Sequence, residues 1–199
     1  METLLQDSPL AISRAAAELR CGHVIAAPTE TVYGLMAIWK SADARQEIYR
    51  LKHRPADKRL QMLAPDVETA VMAGLKPNAM LKKIGDAFWP GPLTVIVEAN
   101  DDDTIGLRIP NHPFILKLLR ELGEPLAATS ANLSGTPAAV TPSDAVAHLD
   151  GRPALLVDGG KVTVTGGASS TVISIVGGDI KILRQGPITL QDIQTVLDG

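Results

Sequence analysis

The chain is poor in aromatic rings, with two Trp, two Tyr and two Phe among 199 residues. Stacking platforms for single-stranded nucleic acid need several exposed rings, so that class of surface is not expected. A basic excess is missing too: the formal net charge is −3. Proteins that coat a phosphate backbone neutralise it with a cationic surface, so any basic site here must be local. The single cysteine, Cys21, excludes an intramolecular disulfide and a cysteine-built zinc site, and it fits a reducing compartment. The opening Met1-Glu2-Thr3-Leu4-Leu5-Gln6-Asp7 has no basic n-region, and no apolar run approaches the length of a membrane span. A cytoplasmic protein with no membrane partner is expected. The Walker and Gly-Xaa-Gly-Xaa-Xaa-Gly signatures are missing, so an ATP site would need another cradle. The histidines, His23, His53, His112 and His148, show no ligand spacing, which leaves any metal position unknown.

What is there is a globular composition, 45% apolar and 21% charged, long enough for one domain with a Leu, Ile, Val and Ala core. Ser8-Pro9 predicts a capped helix over Leu10 to Arg20 that stops at Gly22. The apolar run 24–28 predicts a strand, and Pro28-Thr29-Glu30-Thr31-Val32-Tyr33-Gly34-Leu35 a polar loop forming the floor of a site. Ser41 caps a helix through Ala44, Ile48 and Leu51, and Asp66, Asn78, Asn111, Thr141 and Thr189 are the caps expected for later helices. Strands are predicted at Leu60–Ala64, Leu93–Val97, Ile105–Ile109, Pro125–Ala128, Ala154–Val157, Thr171–Val176 and Ile180–Leu183, the last two paired through Gly177-Gly178-Asp179. Strands and helices mix without strict βαβ alternation. The expectation is therefore one α/β domain over 1–199, a large twisted mixed sheet flanked by helices.

Five cations, Arg50, Lys52, Arg54, Lys58 and Arg59, share a short window with one acid, Asp57. That density fits a local polyanion partner. On spacing alone it fits better a solvated helix end meeting the dipole. Thr129-Ser130-Ala131-Asn132-Leu133-Ser134-Gly135 follows an apolar strand and could hold a nucleotide or simply turn on its own hydrogen bonds. Arg108 and Arg184 stand in strand contexts, where a guanidinium needs a carboxylate or phosphate partner, internal or bound.

Seven segments in order then carry a resemblance: Pro28 to Leu35, Lys52-His53-Arg54-Pro55, Trp89-Pro90-Gly91-Pro92-Leu93-Thr94, Leu107-Arg108-Ile109-Pro110, Thr129 to Gly135, Ser170-Thr171-Val172 and Leu183-Arg184-Gln185-Gly186. Together they resemble the YrdC/TsaC family of L-threonylcarbamoyladenylate synthases, over residues from about 10 to 190, in its short form. The resemblance implies a YrdC-like fold with a concave, positively charged cavity. It implies a nucleotidyltransferase that joins ATP, L-threonine and bicarbonate or CO2 into threonylcarbamoyl-AMP and pyrophosphate, with Mg2+ on the phosphates. Downstream partners would be the tRNA threonylcarbamoyl-transfer proteins, with weak tRNA binding by the chain itself also in view. By position, Thr31, Arg108, Ala128 and Ser170 would bind threonine. Arg54, Lys58, Thr104, Ser130, Asn132 and Arg184 would bind ATP, and Lys52 and Arg54 would be catalytic. The chain departs from the common pattern at Met36, Lys58, Arg59, Leu63, Ala138 and Ser169, so a paralogue making another carbamoyl-adenylate, or an RNA-binding module of the same fold, stands as the alternative.

Overall fold

The structure, a computed structural model, describes residues 1–163 and 168–199. In chain order the strands and helices are β1 (Glu2–Leu5), α1 (Ala11–Arg20), β2 (Ile25–Pro28), β3 (Tyr33–Ile38), α2 (Ala42–Lys52), β4 (Gln61–Leu63), α3 (Val67–Met72) and α4 (Ala79–Phe88). They continue with β5 (Leu93–Glu98), β6 (Thr104–Arg108), α5 (Pro113–Leu122), β7 (Leu126–Ser130), α6 (Pro142–Ala147), β8 (Leu155–Asp158), β9 (Thr171–Ser174), β10 (Lys181–Arg184) and α7 (Leu190–Asp198). The strands form one mixed sheet in the order β1-β8-β2-β3-β7-β4-β6-β5-β9-β10. Parallel and antiparallel neighbours are interspersed along it, as the irregular alternation of elements predicts.

Side-chain alternation decides what each face does. In β2, Ile25 and Ala27 join the core under α1 and α5, while Ala26 joins the core under α2 and α6. That half of the sheet is covered on both faces, which is why its strands read as continuous apolar runs. In β5, Val95 and Val97 face α4 and α7 together with Leu107 of β6 and Ile173 of β9. Their alternates, Thr94, Ile96, Gly106, Arg108 and Val172, line a cavity. The candidate site is the face of this half-sheet that no helix of the described residues covers.

Four details differ from the sequence reading. β1 escaped it: the four residues pair in parallel with β8 but carry no alternation that sets them apart from a polar terminus. Ser8 is not the cap of α1; Leu10 occupies that position with no side-chain hydrogen bond. His112, not Asn111, is the N-cap residue of α5, and Pro113 opens the helix, leaving its end without a side-chain cap. The stretch Pro28 to Leu35 is only half loop, because Tyr33 begins β3, which pairs antiparallel with β2 through Pro28↔Tyr33 and Ala27↔Gly34. All six residues of β3 are buried, so no polar alternation marked it as a strand. The predicted caps at Ser41, Asp66, Asn78, Thr141 and Thr189 each accept the expected backbone N–H.

Candidate active site

The β2–β3 connection is a tight hairpin loop of Thr29, Glu30, Thr31 and Val32. Thr29 Oγ1 accepts from the backbone N–H groups of Thr31 and Val32, both at 3.2 Å. This pins Glu30 and Thr31 at the tip, where both are buried. Arg108, at the end of β6, reaches them from across the sheet. Its Nη2 donates to Thr31 Oγ1 at 3.0 Å and lies 2.7 Å from Glu30 Oε1, and its Nε donates to the Gly91 carbonyl at 3.3 Å. Neither Glu30 oxygen accepts an aligned hydrogen bond among the described residues, so the pair is an electrostatic contact. A guanidinium offers five N–H donors; Nη1 of Arg108 makes no hydrogen bond among the described residues.

On the other wall, Thr94 Oγ1 donates to Gln61 Oε1 at 2.8 Å and lies 3.0 Å from Ser170 Oγ. Arg184, ending β10, donates from Nε to the Ser170 carbonyl at 3.0 Å and from Nη2 to Ser170 Oγ at 3.1 Å. Alternation along β5 placed Thr94 opposite the apolar face, a signal the sequence reading did not use. Burial, then the charges of Arg108 and Arg54, lower the Arg184 pKa from its ordinary value. Arg54 is likewise lowered, mainly by burial. Cations are being held against one another here, an arrangement that favours an incoming anion.

Arg54 arrives because α2 ends on His53 in the left-handed region, at φ 48°, which reverses the chain. Its Nε and Nη2 donate to the carbonyls of Lys58 and Arg59, and Nη1 donates to Thr129 Oγ1 at 3.2 Å. Lys52, one residue before that turn, is buried. Its Nζ donates to the Ser130 carbonyl, to the Asn132 carbonyl at 2.6 Å and to Asn132 Oδ1 at 3.2 Å. All three donors of the ammonium are thereby used, clamping β7's exit loop to α2. Burial, and secondarily the Arg54 charge, press its pKa down to about 7.

The cavity these residues enclose measures about 270 Å³. Of the expected site residues, it gathers Thr31, Arg54, Thr104, Arg108, Ala128, Ser130, Ser170 and Arg184. Four arginines line it, the fourth being Arg59, and no carboxylate belongs to its described lining. Lys52, Asn132 and Lys58 do not line it: the first two form the clamp behind the wall, and the Lys58 side chain is exposed. A second, larger cavity of about 740 Å³ adjoins it, sharing Arg54, Arg59, Leu60 and Thr104.

The fold and site define an α/β protein whose open sheet face gathers hydroxyls and four arginines around one cavity. Comparison with known proteins narrows this to one lineage. The family profile for Sua5, YciO and YrdC, described as "Telomere recombination", matches residues 17–186, and the chain belongs to that family. It is 42% identical over 198 residues to the threonylcarbamoyl-AMP synthase of Bacillus subtilis (strain 168), covering 94% of this chain and 56% of the relative. The Pyrococcus abyssi threonylcarbamoyl-AMP synthase is 32% identical, over 92% of this chain and 56% of the relative. The crystal structure of P. abyssi Sua5 complexed with L-threonine superposes with a TM-score of 0.89 at 31% identity, over 98% of this chain and 60% of that one. The chain spans about half the length of these relatives.

Proposed function

We propose that this chain carries the site for ATP-dependent synthesis of L-threonylcarbamoyl-AMP. The observation that supports it is the juxtaposition of Thr31, Arg108 and Ser170 with Arg54 and Arg184 around one cavity, in a chain whose relatives bear that activity in their names. In this reading the threonine carboxylate meets Arg108, whose Nη1 is uncommitted among the described residues, and the threonine side faces Thr31, Ser170 and the Ala128 backbone. The polyphosphate meets Arg54 and Arg184, with Thr104 and Ser130 as hydroxyl partners.

Threonine's amine adds to CO2 and loses a proton, or condenses with bicarbonate and releases water, to become a carbamate. A carbamate oxygen then forms a bond to the α-phosphorus of ATP as the bond to the β-phosphate bridge oxygen breaks, and pyrophosphate leaves. Both partners are anions, so the barrier contains their mutual repulsion. Arginines already fixed by hydrogen bonds to the cavity wall offset that repulsion with little reorganisation, and no protein nucleophile is required. Among the described residues no group of three or more His, Cys, Asp or Glu could hold a metal alone. Mg2+ would enter bound to the phosphates and water, its usual arrangement. The threonylcarbamoyl-adenylate then passes to the proteins that place the group on tRNA.

The test is pyrophosphate release measured with each substrate omitted in turn. Release that requires threonine, bicarbonate and ATP together supports the reading. ATP turnover indifferent to threonine points to another carbamoyl-adenylate, and salt-sensitive RNA binding with no release points to a binding module.

A further inference from the structure

Arg59 stands between the two cavities. The inner one, at about 270 Å³, falls below the roughly 300–1,000 Å³ usual for a small-molecule site, and in the reading above it must also take threonine. A nucleotide therefore has to extend into the adjoining cavity of about 740 Å³, past the wall the two share. Arg59 is part of that wall. Its Nη1 meets the Asp103 carboxylate and donates to Thr104 Oγ1 at 3.1 Å and to the Thr104 carbonyl at 3.2 Å. The two partners of this ion pair are 63% and 56% exposed, and pairs so exposed are weakly held. A polyphosphate carries several charges where Asp103 carries one, and it suits the planar fork of an arginine. The neighbouring Lys58 contributes its carbonyl to Arg54 and Tyr49, while its side chain lines neither cavity.

We propose that Arg59 is a phosphate-binding residue that rests on Asp103 before nucleotide binds and transfers to the ATP polyphosphate as the nucleotide spans the two cavities. The proposal depends on ATP being the ligand. Asp103 is then a competitor for Arg59, and the two residues should act on ATP affinity in opposite directions. A purely structural pair, anchoring the turn before β6, would act in one direction only. Asn at position 103 keeps an oxygen for the Thr104 N–H, which Asp103 Oδ1 accepts at 2.7 Å, and removes the charge.

The experiment is calorimetric titration of the full chain with MgATP, with melting curves as a check on folding. Arg59→Ala should raise the ATP Kd about tenfold, as expected for a lost charge-assisted hydrogen bond, and Arg59→Lys should recover part of that loss. Asp103→Asn should lower the Kd by about twofold or more, in line with the small hold of an exposed pair. The proposal is overturned if Arg59→Ala binds like the wild type, or if Asp103→Asn binds no tighter than it. Should the wild type itself bind no MgATP, the nucleotide reading fails and takes this inference with it. Wild-type binding that Arg59→Ala leaves unchanged removes the inference alone.

Discussion

Arg108 and Glu30 meet 2.7 Å apart with side chains only 3% and 7% exposed, one from the end of β6 and the other from the β2–β3 hairpin. The contact ties together two segments 78 positions apart, and it does so directly beside Thr31. A guanidinium so buried needs its counter-charge, and the carboxylate has no aligned hydrogen bond among the described residues to fall back on. The pair thus fixes the cavity wall at Thr31 more than it strengthens the fold. A hydrophobic replacement of both partners can match the stability of such a pair, whereas removal of one partner strands the other.

Arg108→Ala should accordingly cost about 3–5 kcal/mol of stability by leaving Glu30 charged and unpaired. It should also weaken threonine binding more than MgATP binding. Urea unfolding and separate titrations of the two ligands measure these effects. Equal loss for both ligands would contradict the placement of Arg108 on the threonine side.

Arg54→Ala and Arg184→Ala should each weaken MgATP by about tenfold or more, the usual worth of a hydrogen bond to a charged group. The two differ in a second respect. Arg184 holds Ser170 through both its carbonyl and its hydroxyl, so Arg184→Ala should raise the threonine KM as well. Arg54 contacts Thr129 and the Lys58 and Arg59 carbonyls instead, and its removal should leave the threonine KM far less affected. Steady-state kinetics with each substrate varied separates the two patterns.

How much of this was legible in the sequence depended on whether the signal was local. Arg54, Arg108, Ser130, Ser170 and Arg184 stood in recognisable segments, and the cavity gathers all five. The helix caps at Ser41, Asp66, Asn78, Thr141 and Thr189 were readable because a cap is a contact within three residues. β3 was not, since burial on both faces erases alternation. Lys52 stands in the sequence as one of five clustered cations with an expected catalytic role; only the fold brings the Ser130 and Asn132 oxygens to it, 78 and 80 positions away, and shows it as a clamp. Arg59 stood out as a departure from the family pattern, but adjacency in sequence could not say whether it or Lys58 turns toward the cavities.

Lys52 supplies a prediction whose sign follows from linkage. Its pKa falls from 10.5 to about 7 in the folded chain, so between those values the unfolded chain binds the extra proton. The penalty for burying the ammonium is fully present below about pH 7, and stability from this group rises as pH climbs toward about 10. The urea midpoint of the wild type should therefore gain on that of Lys52→Met between about pH 6.5 and 9. A neutral amine has two donors for three oxygens, so the clamp on Ser130 and Asn132 should loosen over the same range and MgATP affinity should fall. A midpoint difference that stays flat with pH would show that Lys52 does not titrate there.

Gly91 offers a test of the site's backbone support that touches no charged side chain. Its N–H donates to the Ile109 carbonyl at 2.8 Å, and its own carbonyl accepts from Arg108 Nε. A Cβ built on it would overlap the Phe88 carbonyl oxygen, a backbone atom that cannot swing aside. Gly91→Ala must then shift the main chain on which Arg108 leans. The expected cost is about 1–3 kcal/mol, typical of overpacking, with a threonine affinity several-fold weaker and a smaller change for MgATP. A variant that loses stability while keeping wild-type threonine affinity would show that Thr31 and Glu30 alone orient Arg108. One that loses both in step would place the Gly91 carbonyl among the groups that aim the guanidinium.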